Sequence, residues 1–266
     1  MKNFQDKVVW ITGASSGIGE ALVKEFAKRK AKIILSSRRK DVLEKVRDNA
    51  SLNAENSLVL PLNLEKAQGF EAQVEEVLKT FGRLDILINN GGISQRSLFM
   101  DTKPSVLRKI MDVNFIGTIA LTRAALPYLI QQPESQLVVV SSVVGKYGTP
   151  MRTAYSASKH AVNGFFDALR AELWQKRVSV LIVCPGYIKT NISYNALTAD
   201  GSPQKKMDKG QATGLSAENC ATQIIKGIQQ GKREIYPAGV KELFGVYMKR
   251  FFPGLFSSLV RRINVT

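Results

Sequence analysis

The start of the chain carries the pattern that most restricts the possible folds. Residues 7–11 form an apolar run of strand length, and residues 20–30 place their apolar side chains at helical spacing. The glycine-rich sequence between them, TGASSGIG, contains Gly13, Gly17 and Gly19. A strand, a glycine-rich turn and a helix in this order are typical of dinucleotide-binding α/β domains. A plain connecting turn is the alternative interpretation of the same glycines.

Each glycine has a physical role if the turn binds a dinucleotide. Gly13 permits the tight turn, Gly17 lets the backbone approach a pyrophosphate, and Gly19 lets the helix pack closely on the sheet. The free N–H groups and the positive dipole end of the helix then face the phosphates. The predicted cofactor contacts in this turn are Gly13, Ser15, Ser16, Gly17, Ile18 and Gly19.

Strands and helices alternate through the rest of the chain, which predicts a parallel sheet covered on both faces. Further strands are predicted at residues 32–37, 57–62, 84–88, 137–140 and 178–183. With 266 residues, 44% of them hydrophobic, the chain suits one α/β domain over 1–266, a Rossmann-like, doubly wound parallel sheet. Ligands of such sheets bind outside the carboxyl ends of the strands, where Gly13, Asn89, Ser142 and Gly186 are expected.

The composition argues against several other classes of protein. Cys184 and Cys220 have neither CxxC spacing nor a histidine partner, so we expect no disulfide framework, no metal site and a reducing, cytoplasmic location. We also expect no signal peptide, because residues 1–6 are polar and the first apolar run is only of strand length, and no spanning helix, because no apolar run reaches about 18 residues. The net charge of +16 suits an anionic cofactor. The positive charge could also favour binding to a nucleic acid or a lipid surface, but the sequence contains no recognised nucleic-acid-binding motif.

The end of the second predicted strand indicates which dinucleotide is bound. A carboxylate there would hold the ribose 2′-hydroxyl of NAD, whereas this chain has Ser37, Arg38 and Arg39. A guanidinium can pair bidentately with a 2′-phosphate. We therefore predict NADP(H), with Arg38 as the main contact. Alternatively, both arginines only begin the solvated face of the next helix.

Tyr155 and Lys159 are four residues apart, so on a helix both side chains lie on one face. A phenol with a pKa near 10 is only about 0.1% ionised at neutral pH. A cation about 4 Å away contributes roughly 4 kcal/mol at an intermediate dielectric, which corresponds to a shift of about 3 pKa units. Lys159 could therefore bring Tyr155 into the range that is useful for proton transfer.

Taken together, these motifs resemble the short-chain dehydrogenase/reductase family over about residues 5–192. The resemblance rests on the TGxxxGxG turn, the Asn-Asn-x-Gly segment from Asn89, Asn114, Ser142, the Tyr155–Lys159 pair and the Pro185-Gly186 segment. Residues 142–166 resemble especially the branch that contains 11β-hydroxysteroid dehydrogenase and the dehydrogenase/reductase member-seven proteins. Residues 196–201 and 253–259 also resemble the member-seven proteins.

The resemblance implies a role for each matching residue. Tyr155 would be the general acid/base, Lys159 would lower its pKa and bind the nicotinamide ribose, and Ser142 would orient the substrate oxygen. Asn114 would hold a water molecule that extends the proton relay. The implied cofactor contacts outside the glycine-rich turn, besides Tyr155, Lys159 and the residues after the second strand, are Asn63, Leu64, Asn90, Gly91, Pro185, Gly186, Ile188 and Thr190.

Two positions depart from the family pattern. The family usually has Asp where this chain has Asn63, and Asn can still offer a carbonyl to the adenine amino group. The usual Asn-Asn-Ala-Gly sequence is Asn-Asn-Gly-Gly here, so a glycine replaces the alanine of the motif. This change adds backbone freedom and removes no chemical group.

The C-terminal part of the chain contains two segments of variable type. Residues 191–213 contain Gly201, Pro203, Lys205, Lys206 and Gly210 and show little periodicity, so we expect a substrate lid; a surface loop without substrate contact is the alternative. Residues 240–263 mix aromatic, aliphatic and basic side chains at helical spacing, and Pro253 could begin a second short helix. This segment could lie on a membrane surface, or pack beside the substrate mouth or against a partner subunit.

The sequence therefore predicts an NADP(H)-dependent oxidoreductase that acts on a carbonyl or a secondary alcohol. The family resemblance implies a homodimer or homotetramer that assembles through the helices at 104–130 and 155–175. A non-catalytic, cofactor-sensing protein and a basic protein bound to membrane surfaces or nucleic acid are the rival interpretations. The intact set of Asn114, Ser142, Tyr155 and Lys159 argues against the first rival.

Overall fold

The computed structural model describes residues 1–262 and confirms the predicted α/β fold. Within these residues, one parallel sheet has the strand order β3-β2-β1-β4-β5-β6-β7. The strands are β1 (Val8–Thr12), β2 (Lys32–Ser36), β3 (Ser57–Val59), β4 (Ile86–Asn89), β5 (Ser135–Val140), β6 (Val178–Val183) and β7 (Glu234–Ile235).

Helices cover both faces of this sheet. They are α1 (Gly17–Ala27), α2 (Lys40–Asn49), α3 (Phe70–Phe81), α4 (Pro104–Met111), α5 (Gly117–Ile130), α6 (Thr153–Glu172), α7 (Lys209–Thr213), α8 (Ala217–Gln229), α9 (Val240–Phe251) and α10 (Pro253–Val260). A π-helix (Asp112–Ile116) joins α4 to α5, and a 3₁₀ turn (Val143–Gly145) follows β5.

Alternate residues of the strands build the two halves of the core. Val9 and Ile11 of β1 pack with α1, α2 and α8 on one face, whereas Val8 and Trp10 pack with α3, α5 and α6 on the other. All four side chains are fully buried. A strand that is covered on both faces requires apolar side chains at every position, so β1 shows no alternation of apolar and polar residues.

The chain reverses its direction across the sheet between β1 and β4. From β1 it moves outward through β2 to β3, then returns so that Val9–Ile11 pair with Ile86–Ile88 of β4. In doubly wound sheets, this reversal opens a crevice at the carboxyl ends of the strands. The glycine-rich turn after β1 and the Asn90 segment after β4 lie at this crevice.

The sequence did not predict α8 and β7. The buried residues Cys220, Ala221, Ile224, Ile225 and Ile228 of α8 recur at helical spacing, so this helix had a detectable signal. The strand β7 has only two residues, which is too short for a periodic pattern. It forms because Glu234 and Ile235 pair with Ile182 and Val183 of β6.

The continuous helical stretch Pro104–Ile130 has 27 residues and is apolar enough to pass for a membrane span by length and composition. Leu121, Ala125 and Leu129 are nevertheless fully buried against the sheet in the second half of the core. This stretch is therefore a core helix of the α/β fold.

Gly117, the first residue of α5, allows a close approach that a side chain would prevent. A Cβ built there would overlap the carbonyl oxygen of Leu64 and lie 2.8 Å from its carbonyl carbon. We expect Gly117→Ala to lower the free energy of unfolding by roughly 1–3 kcal/mol, because the backbone after β3 must move. Urea unfolding followed by circular dichroism measures this change.

Gly164 in α6 provides the matched control for Gly117. A Cβ built on Gly164 has nothing within 4 Å, so Gly164→Ala should be neutral or stabilise the protein by up to about 1 kcal/mol. Equal effects of the two substitutions would contradict the packing that the structure shows at Gly117.

Candidate active site

Thr12 joins the glycine-rich turn to the end of β4. Its Oγ1 accepts hydrogen bonds from the backbone N–H groups of Asn90 and Gly91, both at 3.0 Å, and donates to the Ile88 carbonyl at 3.3 Å. The Asn90 side chain donates back to the Thr12 carbonyl at 3.0 Å. Asn90 and Gly91 are therefore held beside the turn at the floor of the crevice. We did not single out Thr12 from the sequence, although it begins the TGxxxGxG motif.

Gly13 and Gly17 leave room in the turn that other residues would fill. Both have a positive φ, 64° and 57° respectively, which favours glycine. A Cβ on Gly13 would lie 2.9 Å from the Gly91 Cα, and one on Gly17 would lie 2.8 Å from Thr190 Cγ2. The two glycines thus form a cradle of backbone at the N-terminus of α1, and this cradle fits a dinucleotide pyrophosphate.

The end of β2 presents side chains without partners in the described part of the chain. Arg38 and Arg39 are exposed, and the buried Ser37 hydroxyl has no hydrogen-bond partner among residues 1–262. A buried orphan hydroxyl beside two guanidinium groups fits an anion such as a ribose 2′-phosphate. Asn63 lies after β3 on the same side, where its Oδ1 accepts the Glu65 N–H at 3.1 Å.

Tyr155 lies in the first turn of α6 at the bottom of a cleft. Its side chain is 7% exposed, and the Ser142 hydroxyl at the end of β5 lies close enough to act on the pKa of the phenol. The Ser142 hydroxyl is itself fixed, because it accepts from the Val144 N–H and donates to the Pro185 carbonyl, both at 3.3 Å. The structure therefore places two hydroxyl groups together where a substrate oxygen could bind.

Lys159 lies one turn further along α6 and is 5% exposed. Its Nζ donates to the Val140 carbonyl at 2.9 Å and lies 5.9 Å from the centre of the Tyr155 ring. Burial lowers the pKa of Lys159 to about 8. The Lys159 ammonium group therefore contacts the end of β5 and also lies near the ring of Tyr155.

The pKa of Tyr155 differs from the sequence-based expectation in direction. Burial raises the pKa of this phenol, while Arg152, the Ser142 hydrogen bond and Arg96 act in the opposite direction. Lys159, which was expected to lower this pKa, is not among the groups that do so, and desolvation of the buried phenolate outweighs the nearby charges. Tyr155 is therefore protonated at neutral pH in this structure.

Asn114 lies in the π-helix between α4 and α5. Its side chain accepts from the Ile93 N–H at 2.8 Å and donates to the Ile93 carbonyl at 2.9 Å and to Ser158 at 3.0 Å. A Cβ built on Gly92 would lie 3.1 Å from Asn114 Oδ1 and 3.6 Å from Lys159 Nζ. Asn114, Gly92 and Lys159 thus meet at one point, and π-turns often occur at functional sites.

The segment after β6 closes the other side of the cleft. The Gly186 N–H donates to the Pro237 carbonyl at 3.0 Å, which ties this segment to the residues after β7. Gln211 of α7 is buried and donates to the Ile188 carbonyl and, at 3.3 Å, to Thr190 Oγ1. We did not predict Gln211, because nothing in its local sequence distinguishes it from other polar residues.

The predicted site residues divide into two groups in the structure. One group lines a single cleft with Tyr155: Ile18, Asn90, Ser142, Lys159, Pro185, Gly186, Ile188 and Thr190. The other group does not line this cleft. Its members lie in the glycine-rich turn, after β2, β3 or β4, or in the π-helix: Gly13, Ser15, Ser16, Gly17, Gly19, Ser37, Arg38, Arg39, Asn63, Leu64, Gly91 and Asn114.

The cleft also contains charged residues that sequence reasoning missed. Arg96 and Arg152 line it and are each 6% exposed, and the carboxylate of Asp208 accepts hydrogen bonds from both. Arg96 and Asp208 are 112 residues apart in the chain, so no local pattern connects them.

A family model for short chain dehydrogenases matches residues 7–200. The chain therefore belongs to the short-chain dehydrogenase/reductase family, as its motifs indicate. Its relatives place it more narrowly, in the branch of the dehydrogenase/reductase member-seven proteins, which confirms the resemblance to them that the sequence showed.

Three relatives illustrate this branch. A dehydrogenase/reductase SDR family protein 7-like protein of Anopheles gambiae is 39% identical, over 98% of this chain and 84% of that protein. Dehydrogenase/reductase SDR family member 7B of Xenopus tropicalis is 40% identical, over 96% and 85%. Member 7 of Homo sapiens is 38% identical, over 93% and 75%.

Among solved structures, a short chain dehydrogenase/reductase from Burkholderia phymatum in complex with NAD superposes with a TM-score of 0.84. The match covers 100% of this chain and 98% of that one at 22% sequence identity. It therefore shows a common fold.

Proposed function

We propose that this protein is an NADP(H)-dependent oxidoreductase that interconverts a carbonyl compound and a secondary alcohol, with Tyr155 as general acid and base. The observation that carries the proposal is the pair of hydroxyl groups of Ser142 and Tyr155, which line one cleft together with Lys159. The backbone cradle of Gly13 and Gly17 lies at the same edge of the sheet, so a dinucleotide there would extend toward this pair.

The residues of the cleft would act on the substrate oxygen. When bound, NADPH supplies the hydride for a carbonyl carbon, and NADP⁺ accepts it in the reverse reaction. Ser142 and Tyr155 donate hydrogen bonds to the oxygen as negative charge develops there, and Tyr155 delivers the proton. Lys159 and Asn114 would replenish this proton through the ribose and a held water molecule.

The choice of NADP(H) over NAD(H) depends on the residues after β2. This position carries Ser37, Arg38 and Arg39 and no carboxylate, so a 2′-phosphate would meet two cations and an unpaired buried hydroxyl. The relative from Burkholderia phymatum was solved with NAD, so a nicotinamide dinucleotide is the right class of ligand for this fold. Asn63 and Leu64 would then lie along the adenine, and Ile188 and Thr190 along the carboxamide.

Substrate choice would depend on residues 191–213, together with α9 and α10. Glu242 of α9 lines the cleft, and the Phe256 ring of α10 packs against the lining residue Tyr147 with 5.3 Å between the ring centres, so the C-terminal helices support one side of the cleft. We further propose a homo-oligomer that assembles through α4, α5 and α6. The buried, free thiols Cys184 and Cys220 support a cytoplasmic location.

Replacement of the proposed acid tests this function directly. Tyr155→Phe should lower kcat for NADPH-dependent carbonyl reduction by at least about 100-fold, because the proton donor is lost. The dissociation constant of NADPH should change less than about threefold, since the cradle at α1 is untouched. A screen of carbonyl compounds by NADPH absorbance, with cofactor binding followed by fluorescence, gives both quantities.

Tyr128→Phe on α5 is the matched control, because Tyr128 does not line the cleft. It should retain the kcat of the wild type. Full activity of Tyr155→Phe would refute the catalytic assignment, and failure of the wild type to bind NADPH would support the rival, basic-surface interpretation.

Arg38→Asp tests the cofactor choice. This substitution should weaken NADPH binding by about 10- to 100-fold, because a charge-assisted pair worth about 1.5–3 kcal/mol is replaced by repulsion. NADH has no 2′-phosphate, so its affinity should change little or improve. Titration of both cofactors with Arg38→Asp, and with the exposed helix residue variant Lys45→Asp as control, separates a specific contact from general charge.

A second candidate property is peripheral binding to an anionic membrane, and it rests on the outer face of α9 and α10. The inner face packs beside the cleft through Phe256, which is one of the three arrangements that the sequence left open. The outer face leaves more than 40% of each large apolar side chain exposed: Val240, Phe244, Tyr247, Phe251, Phe252, Leu255 and Leu259. We call this set the C-terminal apolar face.

Charge complementarity favours a lipid surface over other partners for this face. Lys241, Lys249, Arg250, Arg261 and Arg262 are exposed around it, whereas Glu242 is the single acidic residue of the segment 240–262. Aromatic and aliphatic side chains bordered by cations are typical of helices that lie in the interface of anionic bilayers.

The variant Phe251→Ser/Phe252→Ser/Leu255→Ser should lose sedimentation with vesicles that contain phosphatidylserine. Binding of the wild type should weaken with salt and should be absent from pure phosphatidylcholine vesicles, because the cations contribute about 1 kcal/mol each near an anionic surface. The control Leu98→Ser/Phe99→Ser/Met100→Ser removes side chains of equal exposure between β4 and α4. Loss of self-association instead of vesicle binding, measured by light scattering, would assign the face to a second copy of the chain.

A further inference from the structure

A buried ion cluster lies between three separate segments at the cleft. Arg96 follows β4, Arg152 directly precedes α6, and Asp208 directly precedes α7. Asp208 Oδ2 accepts from Arg96 Nε at 2.8 Å and from Arg152 Nη2 at 3.4 Å. The three side chains are at most 7% exposed, so two guanidinium groups share one carboxylate out of contact with bulk water.

The cluster connects residues 191–213 to the body of the protein. The Asp208 N–H donates to Ser193 Oγ at 3.3 Å, and Gln204 Nε2 donates to Asp208 Oδ1 at 3.0 Å. A backbone hydrogen bond makes the same connection, because the Arg96 N–H donates to the Leu197 carbonyl at 2.8 Å. The segment that we expect to choose the substrate is therefore attached to the cleft through Asp208.

The same cluster reaches Tyr155. Arg96, Arg152 and Tyr155 line one cleft, and Tyr155 follows Arg152 by three residues in the first turn of α6. Arg152 and Arg96 both act electrostatically to lower the pKa of Tyr155, and the phenolate in turn acts to raise the pKa of Arg96. Inside a closed site, such interactions are stronger than at the protein surface.

We propose that Arg96, Arg152 and Asp208 are positioning residues that couple the 191–213 segment to Tyr155 and set the pH range in which Tyr155 exchanges its proton. The inference rests on the proposed function, because the ionisation of Tyr155 affects the reaction only if Tyr155 is the general acid and base. It goes beyond that function by assigning an electrostatic role to residues that lie outside the Ser142–Tyr155–Lys159 set.

Several other charged or ionisable groups face this cleft and contribute to the electrostatic surroundings of Tyr155. Lys159 lies on α6, Glu242 on α9, and two phenols follow the 3₁₀ turn and β6. The ionisable side chains that surround Tyr155 in the cleft, besides the arginines, are Lys159, Tyr147, Tyr187 and Glu242. The ring of Tyr187 also lies 5.6 Å from the guanidinium carbon of Arg152.

Two substitutions in this one cluster should act in opposite directions. Arg96→Gln removes a positive charge that favours the phenolate, so Tyr155 should ionise at a higher pH. Asp208→Asn removes the negative charge that both arginines share, so Tyr155 should ionise at a lower pH. Simple loosening of the cleft would move both variants the same way, or neither. This difference of sign separates an electrostatic role from a structural one.

The test is a ¹³C NMR titration of protein labelled at the tyrosine Cζ, which needs no substrate. The resonance that disappears in Tyr155→Phe identifies Tyr155. Relative to the wild type, its ionisation should move up by about 0.5–1 pH unit in Arg96→Gln and down by a similar amount in Asp208→Asn. Arg96→Lys keeps the charge and should restore the wild-type position. Shifts of equal sign in Arg96→Gln and Asp208→Asn, or no shift in either, would overturn the proposal.

Controls and activity complete the design. Arg29→Gln and Glu25→Gln change the same charges in an ion pair at the C-terminal end of α1 that does not line the cleft, so the Tyr155 resonance should titrate as in the wild type. Circular dichroism confirms that each variant is folded. The kcat profile for NADP⁺-dependent alcohol oxidation needs the phenolate and should follow the NMR shifts. If the resonance shifts as expected while the rate profile stays fixed, the acid/base role of Tyr155 fails and the electrostatic coupling stands.

Discussion

The hydrogen bonds of Thr12 with Asn90 and Gly91 hold together the two strand ends on which the cleft depends. They join β1 to β4, the neighbouring strands between which the chain reverses its direction across the sheet. Because of this join, the backbone amides at the start of α1 and the hydroxyl groups of Ser142 and Tyr155 face one crevice. A slip of one residue between these strands would turn Thr12 to the other face of the sheet and divide the site.

Burial governs the electrostatics of this crevice. The pKa of Tyr155 is raised and that of Lys159 is lowered to about 8, so each group is moved toward its neutral form. Neighbouring charges then matter more than they would in water. Arg96, Arg152 and Asp208 lie in this low-dielectric region, where an ion cluster is stable only with good geometry. The Tyr155 phenol therefore lies in one cleft with Arg96 and Arg152, whose shared partner Asp208 belongs to a distant segment of the chain.

The sequence alone was sufficient to predict those features that depend on a short, continuous run of residues. The glycine-rich turn, six of the strands and the family motifs could be predicted, because each is a short run with its own periodicity or spacing. The contact of Arg96 with Asp208 could not, since 112 residues separate them and neither has a distinctive neighbour. The direction of the Tyr155 pKa shift was missed for a related reason: the spacing to Lys159 is visible in the sequence, whereas complete burial of the phenol is a property of the whole fold.

The position of Phe256 has a consequence for how the protein is made. This residue lies in α10, far along the chain from Tyr147, yet its ring packs on that of Tyr147, which lines the cleft. During synthesis, N-terminal parts of a chain emerge from the ribosome and fold first. The turn and strands on the dinucleotide side of the crevice can therefore assemble before α10 is synthesised, whereas the packing behind Tyr147 is completed only once α10 has been made.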